Sequence, residues 1–458
     1  TEAAGALRGL AGRGKILFPL GDRWLIAPAC REAVSASQPT LPDSPRSALS
    51  AAEVTADLMR QTTMPTRAGS VARPATNEPL GSGAEGTSER HVSPDKKPPA
   101  AVVGFLLQDV GDDRPSGREL SASAELTAAQ QRLKLPLQRT LAHYLANPET
   151  TAARSPWAVM HAALPFSADA ELIAGNRRVN AIGWLCQNGQ LRGQRIFSPA
   201  RSGFVVNVGP GVQGHEGQLL AILAQCRIPE DFPIRVGSFE GSVQDIVRYE
   251  MLGCRPRTEL TFRLIGLSHY LSADESWLSD DRQRWSIERL VQEELAQPIV
   301  GAACGGTHRL MGLTYALRKR QEAGLPIDGQ FSRAAQFIDD FVDYAWTLQN
   351  PDGSFSTSWF EGRGNKPDPQ RKVQTTGHVA EWLVFTLPDD QLADPRLVRS
   401  LELLVSQLYD RRDQDWPIGP RGHAIRALAL YEQRVYGGRL GERHHQLARL
   451  IEQSQQRR

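Results

Sequence analysis

The chain has 458 residues, 40% of them apolar, and a net charge of +2, which supplies enough apolar material for a large core. Charges of both signs are spread along it, so it lacks the extended basic face that nucleic acid requires. No run approaches the ~18 apolar residues of a membrane-spanning helix, and a soluble protein without nucleic-acid partners or transmembrane segments is expected.

At the N-terminal end, KILFPLGDRWLIAP at 15–28 suits a strand pair or a docking peptide. Residues 36–100 are dominated by Ser, Pro, Thr, Ala and Gly without a sustained apolar period, a composition that cannot bury enough surface to order itself. AVVGFLLQDV at 101–110 suits a single strand. Residues 1–120 are therefore expected to form a largely disordered arm, and 121–458 one all-α domain.

From Ser121 onward, segments with apolar spacing of three and four recur between Gly, Pro and Asp loops, giving about a dozen helices. Helix starts are marked by Ser242 before VQD, by Ser286 before IERLVQEEL, and by Asp394-Pro395 before RLVRSLELLVSQL. One small β-hairpin insertion is expected, QRIFSPARSGFVVNV at 194–208.

Four segments align without gaps: GVQGHEGQLLAILAQ, ACGGTHRLMGLTYAL, VQTTGHVAEWLVFTL and IGPRGHAIRALALYE. Their histidines, His215, His308, His378 and His423, are spaced 93, 70 and 45 residues apart, as whole or near-whole multiples of a helical-hairpin unit. These helices are apolar nearly all round and belong inside; RAAQFIDDFVDYAWTLQ and RLVRSLELLVSQLYDRR have one apolar stripe and belong outside. Alternation of the two kinds describes an α/α toroid, with a histidine where each inner helix begins and all four rings aimed at a common centre.

LQNPDGSFSTSWF carries a family resemblance. Gln349, Gly353 and Phe355 resemble the repeat ending of the terpenoid cyclase and protein prenyltransferase superfamily, with Phe in place of the usual Trp. There the glutamine amide is expected to bond the end of a neighbouring outer helix while its flat face packs on the aromatic ring. The resemblance implies the toroid over roughly residues 150–435. It does not extend to the class II cyclase acid, because no Asp-x-Asp-Asp string occurs, and 7% aromatic content suits a carbocation cavity poorly. DDFVD, with Asp339, Asp340 and Asp343, matches a diphosphate-binding pattern, but the helical wheel puts the aspartates opposite Phe337, Ile338 and Phe341, facing water.

Three residues after each histidine stand Gln218, Met311, Glu381 and Arg426, on the same helix face. That pattern points to a polar central cavity for a small-molecule or oligomeric substrate. Glu381 and a histidine would supply acid–base chemistry, and Gln218 and Arg426 would bind substrate, Arg426 through an anionic group. Elimination, isomerisation or cyclase-like chemistry on an anionic, oligosaccharide or isoprenoid-like substrate follows. One alternative is a non-catalytic toroid that binds a peptide, glycan or lipid, its histidines serving as helix caps. The other is a zinc-dependent transferase, with Cys304 and His308, four apart in CGGTH, as ligands and His378 or His423 as a third. Lanthionine cyclases and prenyltransferases use zinc in this region of their toroids. The remaining cysteines, Cys30, Cys186, Cys226 and Cys254, read mainly as small buried hydrophobes.

Overall fold

The structure, a computed structural model, describes residues 15–20, 23–28, 125–201 and 203–441; the stretches 36–100 and 101–110 lie outside the described residues. The chain divides into two units, Thr1–Ala48 and Leu49–Arg458. In the first, β1 (Lys15–Leu20) and β2 (Arg23–Pro28) pair antiparallel in the register Lys15 to Pro28. This is the strand pair expected from the apolar run there.

The described part of the second unit is mostly helical. α1 (Ala128–Ala146) opens on a capping box between Thr127 and Gln130, so two backbone donors at its start are satisfied reciprocally. α2 (Pro156–Ala163) starts on a Ser155 cap followed by proline, whose missing N–H costs nothing at that position. There follow α3 (Ala181–Cys186), α4 (Gln218–Gln225), α5 (Val243–Leu252), α6 (Thr261–Tyr270) and α7 (Ile287–Leu295). α8 (Thr307–Glu322), α9 (Gly329–Thr347), α10 (Pro369–Thr386), α11 (Pro395–Asp410) and α12 (Ile418–Tyr431) complete the set. The caps expected at Ser242, Ser286 and Asp394 are all formed.

Even-numbered and odd-numbered helices differ as their sequences imply. Every residue of α10 from Thr375 to Val384 is buried, as is every residue of α12 from Gly422 to Ala429, whereas α9 and α11 bury one stripe. α4 packs on α6, α6 on α8, α8 on α10, α10 on α12, and α12 on α2. Behind them, α5 lies against α4 and α6, α7 against α6 and α8, α9 against α8, and α11 against α10 and α12. α1 packs on α11 and α12. Glycine sets the tightest of these contacts: a Cβ on Gly377 would stand 2.8 Å from the Ala424 methyl, and one on Gly422 would run into the His161 carbonyl.

Two expectations are corrected. Besides the expected hairpin, β6 (Phe197–Ala200) with β7 (Gly203–Val206), the described residues of this unit form three further small sheets. β4 (Glu171–Ala174) pairs with β5 (Arg177–Asn180) and with the short β3 (Glu149–Thr150), β8 (Pro233–Val236) with β9 (Phe239–Ser242), and β10 (Ser276–Leu278) with β11 (Arg284–Ser286). The hairpins β8–β9 and β10–β11 each join a largely buried helix to the next amphipathic one, and β5, β9 and β11 deliver the capping residues Asn180, Ser242 and Ser286. Nor do the histidines all mark helix starts. His308 lies in the first turn of α8, but His378 is midway along α10, His423 is in the second turn of α12, and His215 precedes α4. The gapless alignment registers height in the structure, because the extra residues 369–374 prolong α10 backward past its histidine.

Candidate metal centre

α8, α10 and α12 bring His308, His378 and His423 together. Ring centroids are 3.9 Å apart for His378 and His423, 5.0 Å for His308 and His423, and 5.5 Å for His308 and His378. The Nδ1–H of His378 donates to the Gln374 carbonyl one turn back, at 2.7 Å. That bond assigns the tautomer and leaves Nε2 as a lone pair. Nε2 of His378, Nε2 of His423 and both nitrogens of His308 are buried with no hydrogen-bond partner among the described residues. Four such orphans in one cluster are far above the usual occurrence in a folded interior.

Cys304 reaches the same place through an unusual backbone. It sits in the 3₁₀ turn Ala303–Gly306 with φ of 51°, followed by Gly305 at 64° and Gly306 at 81°. The Trp359 ring lies so close over Gly305 that a Cβ there would collide with it. The Cys304 sulfur and one nitrogen each from His308 and His378 all lie within 4.8 Å of one another. Tetrahedral zinc bonds sulfur and nitrogen at about 2.3 and 2.0 Å, which sets ligand atoms about 3.5 Å apart. The set would therefore contract by about an ångström at its widest to hold the ion. Burial holds the His308 and His378 imidazoles well below the ordinary histidine range, so both are neutral, and it pushes the Cys304 thiol up to about 11. Neutral imidazole is the ligating form, and a divalent cation would supply the charge that removes the thiol proton.

Glu381 is hydrogen-bonded to one of the four histidines, with Nδ1 of His423 2.6 Å from the carboxylate. Burial pushes Glu381 up to about 7 against the pull of Arg426. Arg426 itself is committed elsewhere than expected. Its Nη1 and Nη2 donate to the carbonyls of Leu164 and Gln225 at 2.6 and 2.9 Å, and its Nε lies 3.2 Å from Glu381. It ties α12 to the ends of α2 and α4 and has no arm to offer a substrate.

His215 stands apart. Its Nδ1 pairs with Glu259 at 2.7 Å near the surface, and Phe262 comes between its ring and His308, with centroid distances of 4.9 and 5.1 Å. In its place the structure contributes His161 of α2, whose ring lies 5.4 Å from His423 and whose Nδ1 bonds the Trp157 carbonyl at 2.7 Å. SPWAVMHAALPF lacks the glycine turn used to align the others, so His161 escapes that pattern. Its signal is a short helix, apolar on every side, with one histidine in it.

Two spaces adjoin the cluster. A cavity of about 20 Å³, room for a single water, is lined by His161, Gln218, His308, His378, Glu381 and His423 among others, drawn from all six even-numbered helices. Gln218 turns its amide oxygen to the Gly214 N–H at 2.8 Å. A second pocket of about 240 Å³ is lined by Cys304, Gly305, Trp359, Arg371 and Gln374 together with the 300–302 loop, Phe360 and Glu361. Cys304 borders the larger space and the two histidines the smaller, so the three ligand atoms lie between them. Asp339 and Asp343 of the DDFVD string are solvent-exposed on α9, away from both.

Comparison with protein families, with characterised proteins and with solved structures finds no match to this chain. No helix among the described residues is long and apolar enough to cross a membrane.

Proposed function

We propose that the helical body closes as an α/α toroid, related to the terpenoid cyclase and prenyltransferase superfamily, and that it is a metal-dependent enzyme. Its ligands are Cys304, His308 and His378, and its acid–base pair is His423 and Glu381. The observation that carries this is the convergence of a thiol and two neutral imidazoles within 4.8 Å, with ring nitrogens otherwise left unpartnered in the interior. Sulfur and imidazole donors select zinc over magnesium or calcium. Three protein ligands beside a pocket are the arrangement of a catalytic zinc site, where a structural site closes with four. Bound there, zinc would supply Lewis-acid polarisation of a substrate group.

The chain's own residues divide the remaining work. Gln374 fixes the His378 tautomer through its carbonyl, as outer partners of metal-bound histidines do. Glu381 orients His423, leaving Nε2 as the proton acceptor beside a cavity that accommodates one water. The substrate enters from the 240 Å³ side, because the interior cavity is too small for anything larger than water. Ring closure is supported by the run of contacts from α4 through α12 to α2 and by Arg426, which bonds the ends of both α2 and α4. The glutamine expected from the family resemblance also makes its bond, from Gln349 Nε2 to the Arg396 carbonyl at 2.8 Å.

Elemental analysis of the purified full chain tests the reading. One equivalent of zinc is expected, lost in Cys304→Ser and in His378→Ala and retained in His215→Ala. A metal-free wild type, after reconstitution with zinc and dialysis, would overturn it.

A further inference from the structure

The 240 Å³ pocket carries a second recognition element, opposite in character to the metal ligands. Arg371, in the first turn of α10, is held by three contacts. Its Nε donates to the Thr357 carbonyl at 2.7 Å, its Nη1 donates to the Gln374 side-chain oxygen at 2.9 Å, and its guanidinium lies 5.2 Å from the Trp359 ring. These fix the plane of the group and leave Nη2 uncommitted. The bond from Arg371 also settles the Gln374 amide, whose oxygen is taken, so its NH2 is the free end. Both residues line the pocket.

Arg371 is half-buried, yet it forms no ion pair among the described residues, where fourteen other arginine and lysine side chains do. A partly desolvated guanidinium, pre-oriented and without a carboxylate, is the usual means by which proteins read a planar anion. One of its faces lies against Trp359, and the uncommitted Nη2 edge is what it offers to a partner in the pocket. The one acidic side chain on the wall, Glu361, is solvent-exposed. There it is screened, and its repulsion weighs more against a dianion such as phosphate than against a carboxylate.

We infer that the pocket takes a small carboxylate-bearing substrate, its carboxylate held by Arg371 and Gln374 and its reactive group turned toward Cys304, His308 and His378. This rests on the metal-centred reading above. The volume favours a compact molecule: about 240 Å³ is below the ~300 Å³ at which pockets for drug-sized ligands begin. Trp359 and Phe360 would flank its apolar part. Trp359 joins the two halves of the site, since its ring also meets His378 edge-on at a centroid distance of 5.4 Å.

The test uses the full chain loaded with cobalt(II), whose visible spectrum reports thiolate coordination, and a matched pair of probes, 3-mercaptopropionate and 3-mercaptopropan-1-ol. Each can place its sulfur on the metal, and only the first has a carboxylate for Arg371. The acid is expected to bind at least tenfold more tightly than the alcohol. Arg371→Gln should abolish that preference while leaving the alcohol's affinity and the cobalt stoichiometry unchanged, and Arg371→Lys should keep part of it. Equal binding of the two probes by wild type, or a preference that survives Arg371→Gln, overturns the inference. If no cobalt is taken up, the metal reading itself has failed. Calorimetry with propionate on the metal-free chain then reads the carboxylate site alone: binding lost in Arg371→Gln retains it, and no binding by wild type ends it.

Discussion

His308 and Arg309 are consecutive residues at the start of α8, about 100° apart around the helix, and they serve buried polar clusters of opposite kinds. Arg309 donates through Nε to Glu294 at 2.8 Å and through Nη1 to the Pro298 carbonyl. The same Glu294 carboxylate accepts from the Leu260 N–H at 2.8 Å and from the Thr261 hydroxyl at 2.6 Å. Both of its oxygens are in use, and the group has the ring of partners that lets a charge stay inside a protein. His308, one residue away, has neither nitrogen paired. A fold able to satisfy one cluster so fully has no physical need to leave the other open, which is why the open one reads as a place for something the chain does not itself provide.

The contrast is most severely broken from the satisfied side. Glu294→Ala removes the acceptor of three donors and strands the Arg309 charge, and loss of one member of a buried pair costs about 3 to 5 kcal/mol. Chemical denaturation should show that loss with an unchanged denaturant slope. A loss under about 1 kcal/mol, the range of exposed pairs, would mean water reaches the pair and the comparison fails. The double replacement Glu294→Leu with Arg309→Met should recover only the part due to the stranded charge, since the Leu260 N–H and the Thr261 hydroxyl stay without their acceptor.

A smaller effect probes a buried ionisable group that has neither a carboxylate nor a ligand role. Burial, with Lys319 and Arg227 nearby, lowers His269 on α6 from 6.5 to about 4. The folded chain holds it neutral while the unfolded chain takes up a proton, so its contribution is fully present above pH 6.5 and is lost as pH falls toward 4. The full shift corresponds to about 3 kcal/mol. Burial lowers other histidines as well, so the observable is the difference between wild type and His269→Gln. That difference should narrow as pH is lowered through this range, and a difference independent of pH would reject the assignment.

Much of the scaffold is legible from local chemistry, because helix caps and apolar periodicity act within a few residues. Ser242, Ser286 and Asp394 start helices where their neighbours say they should, and the two classes of helix separate by whether the apolar residues encircle them. The three additional sheets were not legible: strands such as SWL and RWS are too short to show an alternation. Within the site, the meeting of His308, His378 and His423 followed from their shared place in the repeat. What could not follow was the commitment of each group. Arg426 looks in sequence like a substrate-binding cation and is consumed by two carbonyls of other helices, whereas Arg371, which no sequence pattern singles out, is left with a free edge. Such roles depend on which carbonyls and rings arrive from elsewhere in the chain, and spacing along one helix does not contain that information.

The smallest effect concerns Gln349, in the motif that resembles a family's repeat ending. Gln349 Nε2 is near three acceptors, the Ser400 hydroxyl at 2.7 Å, the Arg396 carbonyl at 2.8 Å and the Gly353 carbonyl at 3.3 Å, so its amide stitches the end of α9 to the first turns of α11. Gln349→Ala should cost about 1 kcal/mol, the net value of an ordinary hydrogen bond. It should cost no more, because Ser400 keeps its own bond to the Gly353 carbonyl at 2.9 Å and is not stranded. Gln349→Glu separates donation from packing: it preserves size but replaces the donor with an acceptor facing two carbonyls, and it should be clearly worse than alanine. If glutamate and alanine prove equal in urea unfolding, the glutamine contributes only by filling space, and the physical basis for its place in the repeat is lost.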